Sequence, residues 1–234
     1  MYKESIQHQS LELSWVKPHQ IIEPKTIVLG SFNPYENNNK IVDYYYGRST
    51  NHFWKAIAEL TNKDTNYFFD TQFGLQRKIE IMQNRFCCLD VIDSIDFTCQ
   101  DQITLRQYLS NEIFSNFADQ KIWVSKTAYT NKNEILLSRN YNQLVIDSLK
   151  TSNSIKKIIH TMGNQRISSN SVNPKEKQKG INGFSGYIQV IKEICAEHNI
   201  TFVEESYSPS NYAVKNKSTD INDLMRWLKT NLYL

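Results

Sequence analysis

The chain reads as an α/β protein, a three-layer αβα sandwich around a central, mostly parallel four-stranded sheet. Three observations predict this. Short apolar or β-branched runs at 26–31, 86–92, 154–162 and 200–204 alternate with segments whose apolar residues recur at helical spacing. The run TIVLG is continuously apolar rather than alternating, which suits a strand covered on both faces. The most unusual polar stretches each follow a strand, where parallel sheets place their ligands.

Taken in order, the first twenty residues lack periodicity and read as an N-terminal arm that packs through Leu11, Leu13, Trp15 and Val16. Thr26 to Ser31 is the first strand, and Gly30 lets the backbone turn into a loop rich in asparagine and tyrosine. Phe53, Ile57 and Leu60 give the apolar face of a helix that begins near Asn51. Leu75, Ile79 and Met82 repeat that pattern in a helix from Leu75 to Arg85. Phe86 to Ile92 is the second strand, interrupted by Asp90, a carboxylate that needs a partner or an open strand end. A helix is predicted over Asp101 to Phe117, a short strand at Lys121 to Ser125 and a helix over Asn133 to Leu149 that Asn140 to Asn142 could break. Residues 97–132 read as an insertion.

Ser154 to Met162 is the third strand of the sheet. The lysine-rich tract across 166–183 has no apolar anchors and reads as a mobile loop. A helix over Phe184 to His198 precedes the fourth strand, Ile200 to Glu204. The polar loop SYSPSNYAVKNKS follows, and a last helix starts with Ser218 as its N-cap. The 234 residues, 40% hydrophobic and 12% aromatic, are read as one domain with a sizeable core.

Composition narrows function mainly by exclusion. No apolar run approaches the ~20 residues of a membrane span, and the start carries no secretory pattern, so a cytoplasmic monomer is the default expectation. The four cysteines, Cys87, Cys88, Cys99 and Cys195, form no CxxC pair, so neither a metal nor a cofactor is expected. A net charge of +3 permits a nucleic-acid partner without requiring one. GSFNPY carries neither a dinucleotide fingerprint nor a P-loop, and GxSxG is absent. Amides, hydroxyls and tyrosines suit a neutral aromatic ligand held by stacking and amide hydrogen bonds.

Three stretches, PKTIVLGSFNP, YYYGRSTNHFW and SYSPSN, occur in the order seen in the uracil-DNA glycosylase superfamily. The chain resembles most its hypoxanthine/deoxyinosine branch, and next the mismatch-specific branch. GSFNP is one residue longer than the commoner first motif, and Arg48 and Ser49 stand where the family often has His-Pro. The resemblance implies a uracil-DNA-glycosylase-like domain over 1–234, engaged in DNA repair by base flipping. It implies Asn33 and Asn51 as catalytic residues that position water, with an Asn-Pro turn and a helix N-cap as their plainer roles. It gives Phe32, Tyr46 and Asp90 to the base. Tyr46 would stack on it, or would cover the sheet edge with Tyr44 and Tyr45; Asp90 would accept from a base N–H, or cap a loop. Gly30, Ser31, Ser206, Ser208 and Asn211 would meet the DNA backbone, the last three otherwise forming a simple Ser-Pro turn. Implied partner and reaction are therefore DNA bearing a deaminated or mispaired base and hydrolysis of its N-glycosidic bond. A non-catalytic module with the same pocket is the competing reading. His52 and His160 read as structural.

Overall fold

A computed structural model describes residues 1–7, 21–32, 44–109, 126–128, 134–163 and 183–234. A four-stranded sheet with every neighbouring pair parallel runs in the order β3 (Phe86–Asp90), β2 (Thr26–Gly30), β7 (Lys157–His160) and β8 (Thr201–Phe202). The middles of its central strands are apolar because both faces are covered: Ile27, Val28, Leu29, Ile158 and Ile159 have no exposed surface. Helix α1 (Phe53–Leu60) packs against α7 (Ile221–Leu232), and α4 (Gln143–Thr151) against α5 (Gly183–Glu197). The expected α/β sandwich with its parallel four-stranded sheet is thus the observed architecture.

Beside it lies a second sheet, antiparallel, in the order β1 (Tyr2–Gln7), β4 (Ile92–Cys99), β6 (Glu134–Tyr141) and β5 (Lys126–Ala128). This sheet corrects three expectations. Within the N-terminal arm, Tyr2–Gln7 is a strand paired with β4; the arm's proposed packing residues lie outside the described ones. The run 86–92 is two strands: the chain leaves the parallel sheet at Asp90, and β4 continues with Ile95, Phe97 and Cys99 buried at a period of two. The stretch 133–149 is not one helix. Ile135 and Leu137 are buried at strand spacing, and Asn142 then starts α4 by accepting a hydrogen bond from the Leu144 amide.

Two further corrections fall in the C-terminal part. The loop after β8 contains a short helix, α6 (Asn211–Lys215), capped by Ser210. The N-cap of α7 is Asp220, not Ser218, since its carboxylate accepts from the amides of Asn222 and Asp223. Helix α2 (Gly74–Met82) matches its prediction closely. Helix α3 (Gln102–Tyr108) occupies the start of the predicted 101–117 segment, whereas the strand predicted at 121–125 and nearly all of the 166–183 tract lie outside the described residues.

An aromatic cluster fixes α1 on the sheet. Phe53 and Trp54 are fully buried, with ring centroids 5.2 Å apart, and Trp54 lies 5.2 Å from Phe68. Burying such rings contributes roughly 2–3 kcal/mol each. The indole N–H of Trp54 donates to the Tyr45 carbonyl at 2.7 Å, tying the chain before α1 to the helix itself. No helix among the described residues is long and apolar enough to cross a membrane.

Candidate functional site

The carboxyl ends of β2, β3 and β7 bring Gly30, Asp90 and Thr161 side by side. Gly30 stands opposite Asp90 in the parallel register, and the Thr161 amide extends the β7 ladder by donating to the Leu29 carbonyl at 2.9 Å. Gly30 is in an extended strand rather than a sharp turn, and its φ is not positive. What requires glycine is space. A Cβ on Gly30 would stand 2.1 Å from Asp90 Oδ1 and 3.0 Å from Tyr46 Oη, so a carboxylate and a phenol occupy the room that a side chain would fill.

Tyr46 spans this gap. Its hydroxyl meets Thr161 Oγ1 at 3.0 Å, and its ring stacks on Phe53 with centroids 4.5 Å apart and an interplanar angle of 27°. The ring is partly exposed, while Tyr44 and Tyr45 are buried. The three tyrosines therefore divide their roles: two are core, and the third lies over the end of the sheet in a left-handed conformation, φ 57°. A non-glycine residue held at such a φ costs of order 1 kcal/mol, which the contacts to Thr161 and Phe53 offset. Thr161 Oγ1 also faces the Leu29 carbonyl at 3.4 Å, an acceptor only. Either hydroxyl can donate in the contact between Tyr46 and Thr161.

Asp90 is 4% exposed. Its carbonyl accepts from Asn142 Nδ2 at 2.9 Å, and the Asn142 amide donates to the Val91 carbonyl at 2.8 Å. Asn142 therefore clamps the backbone where the chain passes from one sheet to the other, and its own carbonyl accepts from the Tyr187 hydroxyl. Burial raises the Tyr45 phenol well above its ordinary value, with the Asp90 carboxylate adding to the effect. Burial likewise raises the Cys88 thiol and pushes Cys87 up to about 12, so these adjacent cysteines are inert core residues.

The other motifs arrive at the same end of the sheet. The His52 amide donates to the Pro209 carbonyl at 2.8 Å, joining the start of α1 to the loop after β8. Ser206 Oγ accepts from the Gly163 amide at 2.9 Å, joining that loop to the one after β7. Its hydroxyl proton remains for another acceptor. Ser208 is used inside its own turn, its hydroxyl donating to Ser210 Oγ at 3.1 Å, and Asn211 is the first residue of α6. Asn51 Oδ1 accepts from the Phe53 amide at 2.9 Å, but Asn51 is not the N-cap that sequence also allowed: that position belongs to His52, whose side chain makes no capping bond. Phe32 is buried, 6% exposed, and Ser31 accepts from the Ile92 amide through its carbonyl. Asn33 lies outside the described residues.

Sequence reasoning overlooked Thr161 and Asn142. Thr161 carried a usable signal, a hydroxyl directly after a strand that pairs with the GSF strand; Asn142 carried none beyond an Asn triplet. His160 is a core residue, as expected. Its ring has no exposed surface and stacks 5.7 Å from Phe202; burial lowers its pKa to about 4 against the opposing influence of Glu204, so it is neutral. Among the described residues no group of three or more His, Cys, Asp or Glu is placed to hold a metal ion. Comparison with known protein families, with curated proteins and with solved structures finds no match to this chain.

Proposed function

We propose that the protein is a monofunctional DNA glycosylase that hydrolyses the N-glycosidic bond of a deaminated base, hypoxanthine, uracil or xanthine, flipped out of DNA. The observation that carries this reading is the meeting of three segments far apart in sequence. GSF, YYYGRSTNHFW and SYSPSN come together at the carboxyl end of one parallel sheet, through the Gly30 cradle and the hydrogen bond from His52 to Pro209.

In this reading the extruded base stacks on the face of Tyr46 turned away from Phe53, and a ring N–H or amino group of the base bridges the Asp90 and Tyr46 oxygens. Ser206 donates its hydroxyl proton to a phosphate, beside the main-chain donors of the loop. Water attacks the sugar carbon as the electrons of the C–N bond leave with the base. The products are a free base, which takes up the proton that the attacking water loses, and an abasic deoxyribose. The sugar is cationic in the transition state, so a positioned amide suffices to orient the water. Asn33 and Asn51 are the two candidates, and the bond that Asn51 accepts from the Phe53 amide turns its oxygen toward α1. The reading carries with it a monomer acting in the cytoplasm.

That same bond favours one second reading, a module that holds an extruded base without cutting it. Both are tested by incubating the protein with single-stranded and duplex oligonucleotides carrying uracil, hypoxanthine or xanthine, then cleaving abasic sites with alkali. Strand breaks at the modified position support the glycosylase; tight binding without breaks leaves the binding module.

A further inference from the structure

The amino ends of the parallel strands, opposite the Gly30–Asp90–Tyr46 site, carry a row of cations. The Lys25 amide donates to the Arg85 carbonyl at 2.8 Å, and the Lys156 amide to the Lys25 carbonyl at 2.8 Å. Arg85, Lys25 and Lys156 therefore stand side by side just before β3, β2 and β7, and strand spacing of about 4.8 Å keeps them in a line across the sheet. Lys157 opens β7 beside them. Lys25 and Lys156 are exposed, Arg85 and Lys157 half-buried. Among the described residues none of the four joins an ion pair. Glu23, the one acidic side chain in the segments 22–26, 85–86, 153–157 and 229–234, is exposed and pairs with none of them.

The end of α7 holds part of this row in place. Buried Asn231 fastens the helix to the sheet: its carbonyl accepts from Thr26 Oγ1 at 2.7 Å, its Nδ2 donates to the Trp227 carbonyl at 2.8 Å, and its Oδ1 accepts from Lys157 Nζ at 3.0 Å. Two residues on, Tyr233 at φ 58° presents an exposed ring, with Lys25 Nζ 5.4 Å and Lys157 Nζ 5.6 Å from its centroid. One ring thus gathers two ammonium groups that repel each other, and an anion between them relieves that repulsion. The line selects the kind of anion. Four cations across three strands exceed what one phosphate or carboxylate group can meet, and they match the repeated phosphates of a nucleic-acid strand. A flat anionic lipid surface is met by a broad patch rather than a row. Lys25 and Gly30 are five residues apart along β2, about 16 Å at strand rise, and lie at opposite ends of the sheet.

We infer that Arg85, Lys25, Lys156 and Lys157 form a second nucleic-acid surface at the amino end of the sheet, holding the phosphates of a strand segment other than the one that meets the Gly30–Asp90–Tyr46 site. This rests on nucleic acid being the partner. It does not require that a base be cut.

The test uses the full chain with three probes: a donor-labelled duplex bearing a tetrahydrofuran abasic analogue, an acceptor-labelled single-stranded oligonucleotide, and phosphatidylserine vesicles. Wild-type protein holds both DNAs at once and gives energy transfer between them. Lys25→Gln/Lys156→Gln/Lys157→Gln loses the energy transfer while still binding the duplex, and its slope of log affinity against log salt on the single strand falls by about 2. Arginine at the same three positions retains both readouts. Lys156→Glu alone, at an exposed position, lowers both. Unchanged thermal unfolding shows that each variant is folded. Energy transfer and salt slope unchanged in the triple variant overturn the inference. So does a wild-type protein that holds one DNA at a time, or one whose lysines bind vesicles and not the oligonucleotide. Lysine-dependent capture of the second strand without base release would sink the glycosylase reading alone, whereas base release with one-to-one DNA binding would sink this surface alone.

Discussion

Replacing Gly30 by alanine probes the packing at the end of the sheet, and the structure sets the magnitude. The backbone of Gly30 is an extended strand that alanine adopts freely, so conformational strain is negligible. The new methyl would lie 2.1 Å from Asp90 Oδ1, closer than any real contact, and 3.0 Å from Tyr46 Oη. Restoring contact distance moves the carboxylate by about 1 Å within a buried site, which costs about 1–3 kcal/mol, typical of overpacking. For a chain of this size that corresponds to roughly 2–12 °C in Tm. If Asp90 receives the base, the same shift lowers the rate of base release about 100-fold. Denaturant and thermal unfolding of Gly30→Ala, Asp90→Ala and the double variant separate the causes. The clash predicts that the double variant is more stable than the sum of the single effects by about 0.5–3 kcal/mol. Gly30→Ala with wild-type stability, or strict additivity, would refute the claim that Asp90 occupies the space of that missing side chain.

Other expectations follow from neighbouring contacts. Thr161→Val removes the partner of the Tyr46 hydroxyl and should cost about 0.5–1.5 kcal/mol, largely abolished in a Tyr46→Phe background; a double-mutant cycle by chemical denaturation checks it. Asn142→Ala loses both the α4 cap and the donor to the Asp90 carbonyl, so a loss of about 2–4 kcal/mol is expected in the same assay. Buried His160 holds its pKa near 4 when folded, below the 6.5 of the open chain, so protonation favours unfolding. Stability present above about pH 6.5 is therefore lost as pH falls toward 4, by about 2–3 kcal/mol, and a His160→Leu variant should flatten that part of the profile. Tyr46→Ala should weaken binding of an abasic or modified duplex by about 1–3 kcal/mol through lost stacking, measured by fluorescence anisotropy.

The parallel sheet was readable because its strands are short apolar runs, too short for helices, with β-branched residues and a closing glycine in TIVLG. The antiparallel sheet was not. In EILLSRNY the apolar residues fit strand or helix spacing over so short a window, and only pairing with β4 decides between them. Asp90 interrupted the apolar run but was read as a carboxylate within one strand rather than as its end, because β-branched and apolar residues resume at Val91 and Ile92; the chain changes sheets through the backbone clamp of Asn142, a long-range contact. At the site, the position of the polar loops directly after strands placed the loops after β2 and β8 at one sheet edge, where Gly30 and the SYSPSN loop now lie. Why Gly30 is glycine was misread as a turn, since the collision with Asp90 depends on register, which sequence does not display. An N-cap role for Asn51 was one of two readings; the cap is His52, one residue later, and Asn51 instead accepts from the Phe53 amide just before the helix.

The most direct measurement of the proposed activity is a single-turnover assay in which free base and abasic sites are counted together for uracil-, hypoxanthine- and xanthine-containing DNA. One free base per abasic site is predicted for at least one substrate, with the strand intact until alkali is added and the rate reduced in Asp90→Ala and Tyr46→Ala. Release of no base from any of the three by the folded wild-type protein would contradict it.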